Sequence, residues 1–235
     1  MTGDVKKWPE TESLQSLTDS TTEKALEEDL ENANQQLAAL DSDATPLERA
    51  KITLAKMVAL IGLNRKNQVW DETRPLLDIF LENDLLEEAI QTCDVLYQSH
   101  QAESTAALIQ GIWLAVSFPV DPALTLSMLS FMVDETPKDS DGAALAAATA
   151  HYIAGIRASD EEFENMNFFT TNLLAQVAGN HSQIDSQESL DIWMKKLELN
   201  DPAVFLPRLG AALNIIVPEN DWWFDRNALR SRFPQ

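Results

Sequence analysis

The chain has 235 residues, 45% of them hydrophobic, which is enough for a sizeable core in one large domain or two small ones. Its formal net charge of -21 argues against direct binding to nucleic acid or to an anionic membrane, because phosphate contacts need clustered cations. The single cysteine, Cys93, excludes an internal disulfide, and no Cys/His cluster suits structural zinc, so a reducing, cytoplasmic setting is expected.

Residues 1–20 are polar, rich in Ser and Thr, with Trp8-Pro9 as their one large apolar feature, and they predict a mobile N-terminal arm. They lack the apolar stretch of a secretory signal. The longest apolar run, from Ala106 to Val120, is interrupted by Gln110 and Ser117 and falls short of the ~20 residues that span a bilayer.

From residue 21 onward helix punctuation repeats. A short side chain that accepts from an orphan backbone N–H precedes a Glu by three positions at Ser20/Glu23, Thr45/Glu48, Asp84/Glu87, Ser159/Glu162 and Asp185/Glu188. Proline at a first helical position adds Pro46, Pro122 and Pro202, while Gly62 and Gly179 stand where a helix could close through a left-handed residue. The pattern predicts helices over 21–41, 45–62, 66–83 with a break near Pro75, 84–100, 103–117, 121–134, 142–157, 159–178, 186–198 and 202–216, then a short piece after Asp225.

No stretch alternates like a strand, and Asp141-Gly142 leads into an alanine run rather than a hairpin. The expectation is therefore an all-α fold in which short connections force antiparallel helical hairpins, stacked as a compact array in one domain over 21–221. In the helix from Thr45, the residues Leu47, Ala50, Leu54, Met57, Val58 and Ile61 recur at three- and four-residue steps and define the buried face. The alanine-rich stretch from Gly142 to Ala158 lets other helices approach closely and is the expected central helix.

The stretch "LLDIFLENDLLEEAIQTCDVLYQ", Leu76 to Gln98, resembles a tetratricopeptide-type helical hairpin. Leu76 and Phe80 stand where that pattern places Leu and Tyr, Asp84 at its turn, and Ala89 at the small position where the helices touch. It departs from the pattern at Leu77, Asp84, Cys93, Leu96 and Gln101, and covers about one repeat. A weaker echo places Gly111, Leu114 and Ala123 at the pattern's Gly, Tyr and Ala spacing. The resemblance implies a short TPR-like α-solenoid: a non-catalytic protein-binding scaffold with a concave groove.

Catalytic and metal-binding motifs are not found. None of His100, His151 and His181 shares a predicted helix with an Asp, Glu or second His three or four residues away, and His100 and His181 fall at helix ends, where they are expected to meet the last carbonyls. Asp139, Asp141 and Gly142 match the middle of a calcium loop but not its ends, so a helix cap is expected there. The carboxylates of "SDEEFE", Ser159 to Glu164, read as a solvated first turn. No catalytic, cofactor-binding or metal-binding residue is assigned; the enzyme or small-ligand alternative would use a pocket around His151, Tyr152 and Arg157.

Charge is unevenly placed. Residues 1–44 carry three basic and eleven acidic residues, whereas residues 45–66 carry five and one. That basic island, with Arg49, Lys51, Lys56, Arg65 and Lys66, is expected to meet the acidic N-terminal segment or an acidic segment of a partner, and it interrupts the acidic face that an acidic DNA mimic would need. The second island is the tail over 222–235, with Trp222, Trp223, Phe224, Arg226, Arg230 and Arg232. It either latches onto its own helices or docks on another protein or a second copy of the chain, since Trp and Arg dominate interface hot spots. The expected role is that of an adaptor or assembly factor acting on another protein.

Overall fold

The computed structural model describes the backbone of residues 11–233 and the side chains from residue 22 onward, so the first ten residues of the predicted arm lie outside the described residues. Among the described residues the fold is all-helical: α1 (Thr11–Ala39), α2 (Pro46–Gly62), α3 (Val69–Glu82), α4 (Leu86–Gln98), α5 (Ser104–Ser117) and α6 (Pro122–Glu135). Then follow α7 (Asp141–Arg157), α8 (Asp160–Ser182), α9 (Gln187–Lys196), α10 (Pro202–Ile216), a 3-10 turn (Glu219–Asp221) and α11 (Arg226–Arg232).

Local chemistry explains most of these boundaries. Glu48 Oε2 accepts from the Thr45 N–H at 2.8 Å while the Glu48 N–H donates to Thr45 Oγ1 at 3.2 Å, closing the box that opens α2. Asp121 and Asp201 accept from the N–H groups two residues on, beside Pro122 and Pro202. Ser159 donates its hydroxyl to Glu162 at 2.7 Å at the head of α8.

Five boundary expectations are corrected. The helix that holds Ser20 begins at Thr11, so that position lies within α1 rather than at its start. Pro75 sits at the middle of α3 without dividing it, its missing N–H leaving a single backbone bond unmade. Asp84 does not cap α4; it is left-handed, with φ 59°, and closes α3, leaving Leu85 at the cap. The cap of α9 is Ser186 with Ser189, not Asp185 with Glu188. No described glycine has positive φ, and the left-handed residues after α2 and α8 are Asn64 and Gln183.

Consecutive helices from α1 to α8 pack as neighbours, giving the expected stack of antiparallel hairpins. The even-numbered helices α2, α4, α6 and α8 also touch side by side, while α3, α5 and α7 do not do so to a comparable extent. The spread on the odd-numbered side leaves room for α10, which folds back against α7 and α5. Within the α3/α4 hairpin, Leu76, Phe80 and Ala89 are all buried, whereas Ala123, at the equivalent spacing in α6, is exposed.

Two helices share the centre. In α7 every residue from Ala143 to Ala150 is buried, and its small side chains let α6, α8 and α10 approach. In α5 every residue from Ala107 to Ala115 is buried, so the expectation of one central helix is too narrow. Gly111 marks a close crossing: a Cβ built there would lie 2.8 Å from the Cys93 Cβ of α4 and against the methyl of Met128 in α6.

Arginines close helices other than their own. Arg157 donates to the Ala115 and Val116 carbonyls at 2.8 and 3.0 Å, at the end of α5. Arg208 donates to the Leu197 carbonyl after α9, and Arg232 to the Leu81 carbonyl of α3. The last carbonyls of a helix have no internal partner, and a guanidinium satisfies them while meeting the negative end of the helix dipole.

Candidate functional site

The tail lies on its own chain. Trp223 packs edge-on to Trp70 of α3, with ring centroids 6.1 Å apart, and receives the Arg74 guanidinium on its face at 4.4 Å. Trp222 and Phe224 both meet Trp113 of α5, at 6.0 and 5.6 Å. Arg226 covers Trp222 at 4.0 Å and Arg230 covers Trp113 at 4.8 Å, while Arg232 pairs with Asp84 at 2.9 Å.

The C-terminal segment thus runs back across the odd-numbered helices, α10 on α7 and α5 and the tail on α5 and α3. This side of the array is covered by the chain's own C-terminal segment. The receiving residues Trp70, Arg74, Gln110 and Trp113 escaped the sequence reading. The available signal was Gln110, a polar side chain set in an apolar run, whose oxygen accepts from the Trp223 N–H at 2.9 Å.

The basic island of α2 is largely spent inside the chain. Arg65 is ion-paired with Glu27 of α1, which fits the expectation that the island meets the acidic N-terminal segment. Lys56 pairs with Glu72 at 2.9 Å and Lys51 with Glu88 at 3.5 Å. Arg49 is exposed, Lys66 is half-buried, and neither has a side-chain bond among the described residues. The island and the tail do not converge on one site.

Of the trio His151, Tyr152 and Arg157, the structure brings the first two to one cavity and takes the third away to the end of α5. The cavity, about 450 Å³, lies between α7, α8, α9 and the start of α10. His151 Nδ1 is 3.1 Å from Thr170 Oγ1, and burial pulls its pKa below the usual imidazole value.

His181 does not meet the carbonyls at the end of α8. Its Nε2 is 3.3 Å from Asp141 Oδ1, and the Trp193 indole N–H donates to its Nδ1 at 3.2 Å. Asp141 also receives Arg208 at 3.1 Å, so it ties α7 to α8 and α10. Among the described residues no group of three or more His, Cys, Asp or Glu is arranged to hold a metal ion, and no helix is long and apolar enough to cross a membrane.

One uncovered apolar surface remains prominent. No residue of α8 before Thr170 is fully buried, and this segment carries Phe163, Phe168 and Phe169 at 44%, 72% and 46% exposure. Phe163, Met166, Phe169 and Leu173 recur at three- and four-residue steps along one flank, and Met166 and Leu173 join it to the core. Asp160, Glu161, Glu162 and Glu164 surround its start, all exposed. The carboxylates were noted in the sequence; the aromatic spacing behind them was not. No family model, curated protein or solved structure matches the chain.

Proposed function

We infer that the protein is a non-enzymatic helical scaffold, an adaptor or assembly factor, and that its partner docks along the flank of α8. The observation that carries this reading is the exposed flank at the start of α8, where Phe163 and Phe169 are held about half in solvent by a helix whose other end is anchored in the core. Large aromatic side chains left uncovered on a rigid element are the usual anchors of protein interfaces.

Charge selects the partner's chemistry. From Ala158 to Met194 the sequence has no Lys or Arg and seven carboxylates, so the flank lies in an uninterrupted acidic field. A helix with an apolar stripe and Lys or Arg at its margins complements this surface, the stripe covering Phe163 and Phe169 and the margins meeting Asp160, Glu161 and Glu164. The stack of hairpins between α1 and α8 serves to hold α8 fixed, in keeping with the tetratricopeptide-like hairpin at Leu76 to Gln98.

The test is a photo-crosslinking residue at position 169, with the captured polypeptide mapped. The expected product is a segment of net positive charge with helical apolar periodicity, lost in Phe163→Asp and retained in Arg49→Glu. Capture that is unchanged by Phe163→Asp, or a mapped segment that is acidic, overturns the reading.

A further inference from the structure

We propose that the cavity between α7, α8, α9 and the start of α10 binds a small cationic group, an ammonium or guanidinium carried on an apolar body. The argument begins with a single proton. Thr170 is fully buried, and its hydroxyl hydrogen is committed to the backbone, with Met166 O at 2.9 Å and Asn167 O at 3.3 Å. The hydroxyl therefore can only accept from His151, whose Nδ1 lies 3.1 Å away.

That fixes the tautomer. Neutral His151 carries its proton on Nδ1, so the nitrogen it offers to the cavity it lines is Nε2, a lone-pair acceptor. Burial favours the neutral ring, which keeps that lone pair available. Across the cavity on α9, Asp191 uses Oδ1 to accept from Gln187 at 2.8 Å, and Oδ2 has no partner among the described residues.

Acceptors thus stand on two walls, and the one formal charge on the lining is negative: no Lys or Arg takes part. Between them lie Leu174, Met194 and the edge-on pair of Tyr152 and Phe205, with ring centroids 5.9 Å apart. The volume of about 450 Å³ matches a small organic ligand. A cation donates to both acceptors and meets an aromatic wall, whereas an anion of the same shape faces a carboxylate and an imidazole lone pair. The cation's source is either a free amine or a Lys or Arg side chain of a polypeptide.

The experiment is a titration of the full-length, isotope-labelled protein with phenethylamine, with phenylacetate as the matched anion, and with a capped arginine amide. Saturable chemical-shift changes around Tyr152, Thr171 and Asp191 with one of the two cations, and none with phenylacetate, are expected. Asp191→Asn, a change at an exposed position, is expected to weaken binding at least tenfold with the circular dichroism unchanged, and His151→Phe to do the same. Preference for phenethylamine assigns a free amine; preference for capped arginine assigns a polypeptide side chain. No saturation with either cation, equal binding of phenylacetate, or full affinity in Asp191→Asn overturns the proposal.

Discussion

The backbone N–H of Trp223 donates to the side-chain oxygen of Gln110 over 2.9 Å, joining residues 113 positions apart in the chain. Gln110 is fully buried in α5, so the tail is fastened to the interior and is part of the folded body. The three tail aromatics are half-buried, and Leu229 of α11 is buried.

Deleting residues 222–235 is accordingly expected to destabilise the protein. Half-burial of three aromatics gives about 1 kcal/mol each and burial of Leu229 about 2 kcal/mol, at the usual worth of buried apolar area. The total, on the order of 5 kcal/mol, rivals the whole stability of many domains. Urea unfolding followed by circular dichroism should show a large loss of midpoint, and an unchanged midpoint would refute the latch.

Gly111→Ala and Gly155→Ala should move stability in opposite directions. The first adds a methyl 2.8 Å from the Cys93 Cβ, an overpacking expected to cost about 1–3 kcal/mol. The second adds a methyl in an exposed helical position with nothing within 4 Å, where alanine's better helix propensity is worth up to about 1 kcal/mol. Paired thermal melts of the two variants check both signs.

Cys93 should be inert in the folded protein. Its thiol is fully buried, and desolvation pushes its pKa up to about 12, so almost no thiolate exists at neutral pH. Labelling by a thiol-specific chromogen is expected to proceed only through opening of the core and to quicken with urea in step with unfolding. Rapid labelling in native buffer would contradict the packing of α4 on α5.

His151 gives a pH-dependent loss of stability. Its folded-state pKa is depressed by burial, so as pH falls below the unfolded imidazole's value near 6.5 the unfolded chain takes up the proton first. Stability is then lost as pH falls toward the folded pKa, while above about pH 7.5 both states are neutral and the effect vanishes. Glu48 and Glu162, held low by Thr45 and Ser159, act in the same direction around pH 4.5 and below, outside this window. The difference in urea midpoint between wild type and His151→Phe at pH 7.5 and pH 5.5 isolates the histidine: the wild type should lose more on acidification.

The helix starts at Thr45, Asp121, Ser159 and Asp201 were legible because each depends on side chains within three residues of one another, as did the all-α class and the antiparallel hairpins. The α8 flank was partly legible: Phe163, Met166, Phe169 and Leu173 announce an apolar face, but sequence alone cannot say whether another helix covers it. The His151 cavity was legible as a location and not as a chemistry, since the tautomer rests on Thr170, nineteen residues away.

The sequence by itself determined the helices, their order and the acidic field in which they sit, because caps, periodicity and charge act over a few residues. Only the tertiary structure decided where the two basic islands go. Arg65 reaches back to Glu27, and the tail returns more than a hundred residues to Trp113 and Trp70. The gap between odd-numbered helices that admits the tail is set by how the even-numbered ones pack, and no local pattern encodes that spacing. Whether Trp222 and Trp223 latch or reach outward was thus a question about space left between other helices, and that space lies on α3 and α5 of the same chain.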